Sequence, residues 1–170
     1  MSSNVFIQFS NGVKGESEDE NHPGSAGWSE VTKFEFKINQ EAIPDEDSSQ
    51  PENPKTKHSE LKVTKYIDSA SPLYIKGCMN ATVYEKVKVE FFRATTKDGA
   101  SDPIPYQVIE LKDVIIKKYE LEYSEGELVA DVLELEYSEF KFSYTPMNKL
   151  TGAAGAVKPV THNLTTNAVT

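Results

Sequence analysis

Three histidines, one cysteine and a surplus of carboxylates are the side chains with which this chain could do chemistry. His22, His58 and His162 could ligate a metal or complete a catalytic triad only by converging in space, and nothing in their wide spacing suggests that they do. Two of them sit in hydrophilic stretches, so the sequence predicts solvent-exposed histidines and no metal. Cys78 is the single thiol, which leaves no internal disulfide and no cysteine-based zinc site. It reads as a small buried hydrophobe beside a helix. Ser17, within Lys14-Gly15-Glu16-Ser17, lacks the G-x-S-x-G context of a nucleophile elbow and reads as part of a tight acidic turn. Asp113 and many glutamates could form carboxylate pairs, but an acidic chain makes such neighbours by chance, so no glycosidase pair is assigned. Gly152 and Gly155 lack the spacing and the Lys-Ser/Thr ending of a phosphate-binding loop. Asn80-Ala81-Thr82 and Asn163-Leu164-Thr165 match the glycosylation sequon, which carries meaning only after secretion through a signal peptide. The sequence therefore assigns no catalytic residue, no cofactor and no metal, and the expectation is a protein that is not an enzyme.

With no chemistry assigned to single residues, charge and patterning carry the information. The 170 residues hold 27 acidic and 18 basic side chains, for a net charge of -9, and mean hydropathy is -0.51. One domain, 1–170, is the expectation for this length. No window approaches the roughly 18 consecutive apolar residues of a membrane span, and the N-terminus shows neither the basic nor the apolar region of a signal peptide. A soluble chain made in the cytoplasm, without membrane insertion, is expected. A single arginine, Arg93, and the acidic balance argue against nucleic acid as a partner. The acidity is local: residues 1–60 hold 12 acids and 5 lysines, net -7, while 61–170 hold 15 acids and 13 bases, net -2. It concentrates in Glu16 to Glu20 and in Glu41 to Glu52. The stretch 40–57, with Pro44, Pro51 and Pro54, reads as a long acidic loop that either contacts something or moves.

The elements that position these loops alternate with period two. Val5 to Phe9 is a short strand. Trp28 to Asn39 sets Phe34, Phe36 and Ile38 on one face against Lys33, Glu35, Lys37 and Asn39 on the other. Leu61 to Ile67 and Val83 to Ala94 follow the same rule. Tyr106 to Tyr123 and Val129 to Tyr144 change phase midway: Ile109 and Leu111 give way to Val114 and Ile116 and then to Tyr119, and Leu133 and Leu135 give way to Phe140 and Phe142. A one-residue slip turns every side chain to the opposite face, so bends or bulges are expected at Asp113 and at Ser138-Glu139. Glu125-Gly126 is the turn between the two strands. Ser71 followed by Pro72 reads as a helix N-cap, with a weak helix over Leu73 to Met79 that contains Gly77. A loop at 147–159 and a last strand near Val160 to Asn167 close the chain. The expected fold is mostly β, a β-barrel of two packed antiparallel sheets with one short flanking α-helix.

The polar faces repeat from strand to strand, with Lys86, Lys88 and Glu90, Lys117, Lys118, Glu120 and Glu122, and Glu134 and Glu136 joining the Lys33 stripe. For a monomer these are solvated outer faces. Exposed sheet edges are then the natural route of association.

Several blocks carry a resemblance: Val-Lys-Gly-Glu-Ser at 13–17, the Trp28 strand, Thr-Lys-Tyr-Ile-Asp-x-x-Ser-Pro-Leu at 64–73, Gln-Val-Ile-Glu-Leu-Lys-Asp-Val-Ile-Ile at 107–116, Phe-Ser-Tyr at 142–144 and His-Asn-Leu-Thr-Thr-Asn at 162–167. Their collinear order, over nearly the whole chain, resembles the Hcp family of the bacterial type VI secretion system. The resemblance implies a tail-tube-like subunit that forms homohexameric rings, stacked as the inner tube of a contractile sheath beneath a VgrG spike and expelled without a signal peptide. It also implies small effector proteins held inside the ring. On that footing Lys33, Glu35 and Lys37 become a candidate lumen lining, whose mixed charge keeps a channel wet. Asp45, Glu46, Asp47, Lys55 and Lys57 become a candidate ring-stacking loop. Some members have a glycine-rich loop where this chain is acidic and proline-rich, which leaves the stacking geometry open: the acids repel one another, or Lys55 and Lys57 pair with acids of the next ring. The rival is a β-sandwich binding module of carbohydrate- or adhesin-like type, separable by its mass in solution.

Overall fold

The structure is a computed structural model that describes residues 5–40, 56–58, 61–92, 105–146 and 154–170. Among the described residues the strands are β1 (Val5–Phe9), β2 (Trp28–Glu30), β3 (Lys33–Glu35), β4 (Ile38–Gln40), β5 (Thr56–His58), β6 (Leu61–Tyr66), β7 (Tyr84–Phe91), β8 (Gln107–Glu122), β9 (Ala130–Glu136), β10 (Glu139–Tyr144), β11 (Lys158–Asn163) and β12 (Ala168–Val169), with one α-helix, α1 (Ser71–Met79), and a short 3-10 helix at Gly24–Ala26. Every pairing is antiparallel. One sheet runs β12-β11-β10-β8-β7-β1-β2, a second runs β3-β6-β9-β8, and β4 pairs with β5 alone.

The long strand β8 joins the two sheets. Its first half pairs with β7 and β10, and from Ile115 onward it pairs with β9. The two phase changes in the sequence lie at the transfer. Asp113 takes φ of 48°, the left-handed region that turns the strand, and the register with β9 shifts between Ile116 and Lys118. The matching break between β9 and β10 is stitched to this corner: the Ser138 N–H donates to the Lys112 carbonyl at 3.0 Å and its hydroxyl to Asp113 Oδ2 at 2.7 Å. Both expected corners are therefore real, and they are hydrogen-bonded to each other.

The expected continuous strand from Trp28 to Asn39 is instead three short ones. β2 pairs with β1, β3 crosses to β6 in the other sheet, and β4 pairs with β5. Thr32 marks the crossing, its N–H donating to the Thr64 carbonyl at 2.8 Å just after the Val31 N–H has donated to Val5 at 2.9 Å. Trp28 and Phe34 keep the apolar side of β2 and β3 toward the core while Ile38 of β4 is exposed, so period alone reveals neither a change of partner nor a change of burial. β5 itself went unforeseen in the proline-rich stretch.

The core lies between the sheets, with Ile7, Leu61, Val63, Val87, Val89, Leu111, Val114 and Leu133 fully buried. Helix α1 covers one end through Tyr74, whose ring lies 4.8 Å from that of Phe9. A Cβ at Gly77 would collide with the Tyr84 hydroxyl, so the glycine that weakens the helix is what lets Tyr84 pack on it. The helix begins at Ser71, one residue after Ala70 in the cap position, rather than being capped by Ser71. No side chain of the cap residue bonds the first turn; just before it the Asp68 carboxylate accepts the Ala70 N–H at 2.9 Å and the Asp68 carbonyl the Ser71 N–H at 3.0 Å. Cys78 lies within this helix, partly buried against the core.

Candidate assembly surfaces

The polar residues that alternate along each strand line up across strands. In the second sheet Glu35 faces Lys62, Lys62 faces Glu134, and Glu134 faces Lys118, a row of alternating sign across β3, β6, β9 and β8. Lys118 reaches Glu120 at 2.7 Å and Glu134 at 3.8 Å, and Lys33 reaches Glu35 at 3.4 Å. The first sheet repeats the device, with Glu110 between Lys88 and Lys141 in register. Lys86 and Lys141 lie at 2.5 Å and 3.4 Å from the Glu110 carboxylate, and the hydrogen bond from Lys86 holds its carboxyl below the ordinary value despite partial burial. Lys118 does the same for exposed Glu120. Pairs of this kind at the surface add little to stability, because water and salt screen them. Their result is a face on which lysines and glutamates alternate from strand to strand.

Of the candidate lumen residues, Lys33 and Lys37 are exposed and Glu35 is half-buried at the start of that row. Of the candidate stacking residues, Asp45, Glu46, Asp47 and Lys55 lie outside the described residues, as does most of the 147–159 loop. Lys57 lies in β5, opposite Asn39 of β4. Phe34, Phe36 and Ile38 line a groove of about 450 Å³ together with Ile109, Phe142 and Val160, and Ile38 and Val160 are exposed. A second hollow, about 480 Å³, opens beside the β8–β9 turn between Tyr66, Tyr123 and Leu128.

Three of the blocks that carry the resemblance, Val13–Ser17, the Trp28 strand and the one beginning at Thr64, meet at a buried polar cluster. Lys65 is 1% exposed and Asp131 0%. The Lys65 ammonium lies 2.9 Å from Asp68 Oδ1 and 3.1 Å from Asp131 Oδ2, and it also donates to the Tyr66 carbonyl at 2.7 Å. Asp131 accepts from the Ser71 hydroxyl and from Tyr119 at 2.6 Å, and Asp68 accepts from Ser29 at 2.8 Å. Burial and the bond to Asp131 push the Tyr119 phenol upward. The Val13–Ser17 segment docks on the same loop, Glu16 accepting the Ser69 N–H at 3.2 Å and the Lys14 carbonyl the Ser69 hydroxyl at 3.3 Å. Lys65, Asp68 and Ser71 are thus one unit whose spacing in sequence wraps the β6–α1 turn around a buried ion pair.

The expectation of exposed histidines is corrected. His22 and His162 are buried and His58 is partly so. His22 stacks on Phe6 at 4.5 Å, with Asp19 at 3.0 Å from Nδ1 and Glu90 at 2.8 Å from Nε2. His58 and His162, far apart in the chain, lie within hydrogen-bond distance of each other. Asp19 is a local partner three positions from His22, but no sequence signal marked the contacts to Glu90 and between His58 and His162, because those residues come from distant parts of the chain. Among the described residues no group of three or more His, Cys, Asp or Glu is placed to hold a metal, and no helix is long and apolar enough to cross a membrane.

Two antiparallel sheets joined by one bent strand, with paired charges outside and a short helix at one end, define a mostly β protein whose distinctive features are surfaces and edges. The family model for the type VI secretion system effector Hcp matches residues 6–145, and the chain belongs to that family. A solved type six secretion system protein is 22% identical, with a TM-score of 0.83 over 99% of this chain and 100% of the other. Hcp1 from Salmonella typhimurium is 22% identical over the full length of both chains, with a TM-score of 0.76. The secreted protein Hcp3 from Pseudomonas aeruginosa is 16% identical over 94% of this chain and 96% of that one, with a TM-score of 0.59. No curated protein matches the chain by sequence. The protein is a type VI secretion protein of the Hcp family, one of structural, secreted tube proteins.

Proposed function

We propose that the chain is the subunit of a homohexameric ring, that rings stack into the inner tube of a contractile sheath beneath a VgrG-like spike, and that the tube is exported with effector proteins in its lumen. Assembly takes place in the bacterial cytoplasm before expulsion. The observation that carries this is the pair of different sheet ends on one subunit. Among the described residues β2 and β3 each pair with a single neighbouring strand, and so does β12 at the far end of the first sheet. Two unlike patches that meet head to tail close into a ring when the rotation permits, and the contact covers edges that a monomer leaves open.

Lys33, Glu35 and Lys37 line the lumen in this reading, and the row from Glu35 to Lys118 extends the lining across the second sheet. A wall of alternating sign holds water without trapping cargo by net charge. The loop carrying Asp45, Glu46, Asp47, Lys55 and Lys57 meets the neighbouring ring. Around a ring face the acids repel, and the repulsion weakens as salt shortens the screening length to about 10 Å at 0.1 M.

The lumen assignment is tested by placing a thiol at Glu35, as Glu35→Cys in a Cys78→Ser background, and labelling assembled rings with a maleimide too bulky for the channel. Protection that disappears when rings are dissociated is the expected result. Equal labelling of rings and dissociated subunits puts Glu35 on the outer wall and ends the lumen reading.

A further inference from the structure

The contact between His58 and His162 brings two imidazole nitrogens together, and the ring nitrogens can be followed one by one. His58 Nε2 and His162 Nδ1 face each other at 2.6 Å. The remaining nitrogen of each ring is held by an oxygen: His58 Nδ1 lies 3.0 Å from the Tyr137 hydroxyl, and His162 Nε2 lies 3.1 Å from Asn167 Oδ1. An oxygen on the far nitrogen is the outer contact that orients metal-binding imidazoles and fixes their tautomer. Asn167 Oδ1 only accepts, so His162 carries its proton on Nε2 and turns the lone pair of Nδ1 toward His58. A hydroxyl can accept as well as donate, so Tyr137 allows His58 to carry its proton on Nδ1, which turns the Nε2 lone pair toward His162. Two lone pairs then point at one spot. Without a metal, His58 moves its proton to Nε2, donates to His162, and accepts from Tyr137. The number of protons is the same in both arrangements.

We propose that His58 Nε2 and His162 Nδ1 bind one divalent transition ion of the zinc type, with water completing the coordination. Imidazole nitrogens suit Zn²⁺, Ni²⁺ and Cu²⁺, whereas Ca²⁺ and Mg²⁺ prefer oxygen ligands. Zinc–nitrogen bonds of about 2.0–2.1 Å at a tetrahedral angle need the nitrogens about 3.3 Å apart, so the rings must part by roughly 0.7 Å. Water is at hand, because His58 lines a hollow of about 320 Å³ together with Glu136, Ser138 and Thr165. Burial and the nearby His162 lower the basicity of His58 and favour its neutral, metal-binding form. The rings themselves are close and tilted, 4.7 Å between centroids with an interplanar angle of 35°.

The ion ties distant parts of the chain. His58 ends β5, directly after the acidic stretch, and His162 lies in β11 near the end of the first sheet. Binding fastens the root of the candidate stacking loop to the sheet. The proposal goes beyond the ring reading and stands apart from it: rings without zinc binding leave that reading intact, and zinc binding by a monomer leaves this one intact.

The test uses the untagged full-length chain, stripped with a chelator and titrated with Zn²⁺ by calorimetry. One ion per chain is expected, with affinity falling at least tenfold in each of His58→Gln and His162→Gln and the melting temperature of the wild type rising with added zinc. Crystals soaked in Zn²⁺ and measured at the zinc edge give a readout that needs no variant, with the anomalous peak between His58 Nε2 and His162 Nδ1. Absence of binding to the wild type overturns the proposal, as does affinity unchanged in both folded variants. So does an anomalous peak elsewhere with none between the two rings.

Discussion

Lys65 offers the sharpest perturbation. Its ammonium is 1% exposed and is shared by Asp131, wholly buried, and Asp68. Replacing it by methionine keeps much of the stem volume and removes the charge. The Asp131 carboxylate keeps its bonds from Ser71 and Tyr119 but loses its only cation among the described contacts. Breaking a buried pair from one side costs about 3–5 kcal/mol, because an uncompensated charge stays in a medium that solvates it poorly. Unfolding entropy of about 2.1 cal/mol/K per residue gives roughly 0.36 kcal/mol/K for a chain of this length, so Lys65→Met lowers the melting temperature by about 8–14 °C. Removing both charges, in Lys65→Met with Asp131→Leu, recovers part of the loss, since the cost lies in the unpaired ion and not in the absent pair. Urea unfolding at fixed protein concentration measures both, with the subunit concentration held constant because association also stabilises the folded state. A Lys65→Met loss below 1 kcal/mol, or a double variant as unstable as the sum of the single ones, refutes the reasoning.

The corner and the charge rows give two further tests. Asp113 holds φ of 48°, so Asp113→Val should be less stable than Asp113→Gly by about 1–2 kcal/mol. Equal urea midpoints for the two variants would contradict a left-handed corner. For Glu110 the folded carboxyl sits below its ordinary value of 4.5, chiefly through the hydrogen bond from Lys86. Its contribution to stability is fully present above the unfolded value and is lost as the pH falls through the lowered folded one. The stability difference between wild type and Glu110→Gln should therefore shrink as the pH drops below 4.5. A difference that is constant or grows on acidification contradicts the pairing.

What the chain revealed in advance was whatever has a local cause. The bends at Asp113 and Ser138 were legible because a period of two cannot slip without turning the side chains over. The turn at Gly126, where φ is 86°, was legible from glycine's freedom. The charge stripes were legible as alternation, but their cross-strand rows were not, because register depends on which strands meet. The break of Trp28 to Asn39 into three strands was hidden for the same reason. Histidine burial was hidden more deeply: His22 meets Glu90 and His58 meets His162 across 68 and 104 positions of chain. Ser71 looked like a helix cap because a hydroxyl before proline usually is one, whereas here it is spent on Asp131. The Thr64 to Leu73 block was recognisable as a pattern before its cause was visible, and the cause is the lysine that it buries.

A closed ring requires that the protein in solution be about six times 19.0 kDa. Sedimentation of the full chain at low salt should show that hexamer, with larger species growing as added salt screens the acidic loops. A stable 19.0 kDa monomer under all conditions would contradict the ring, and a hexamer that sheds its stacked forms as salt rises would contradict the role given to Asp45, Glu46 and Asp47.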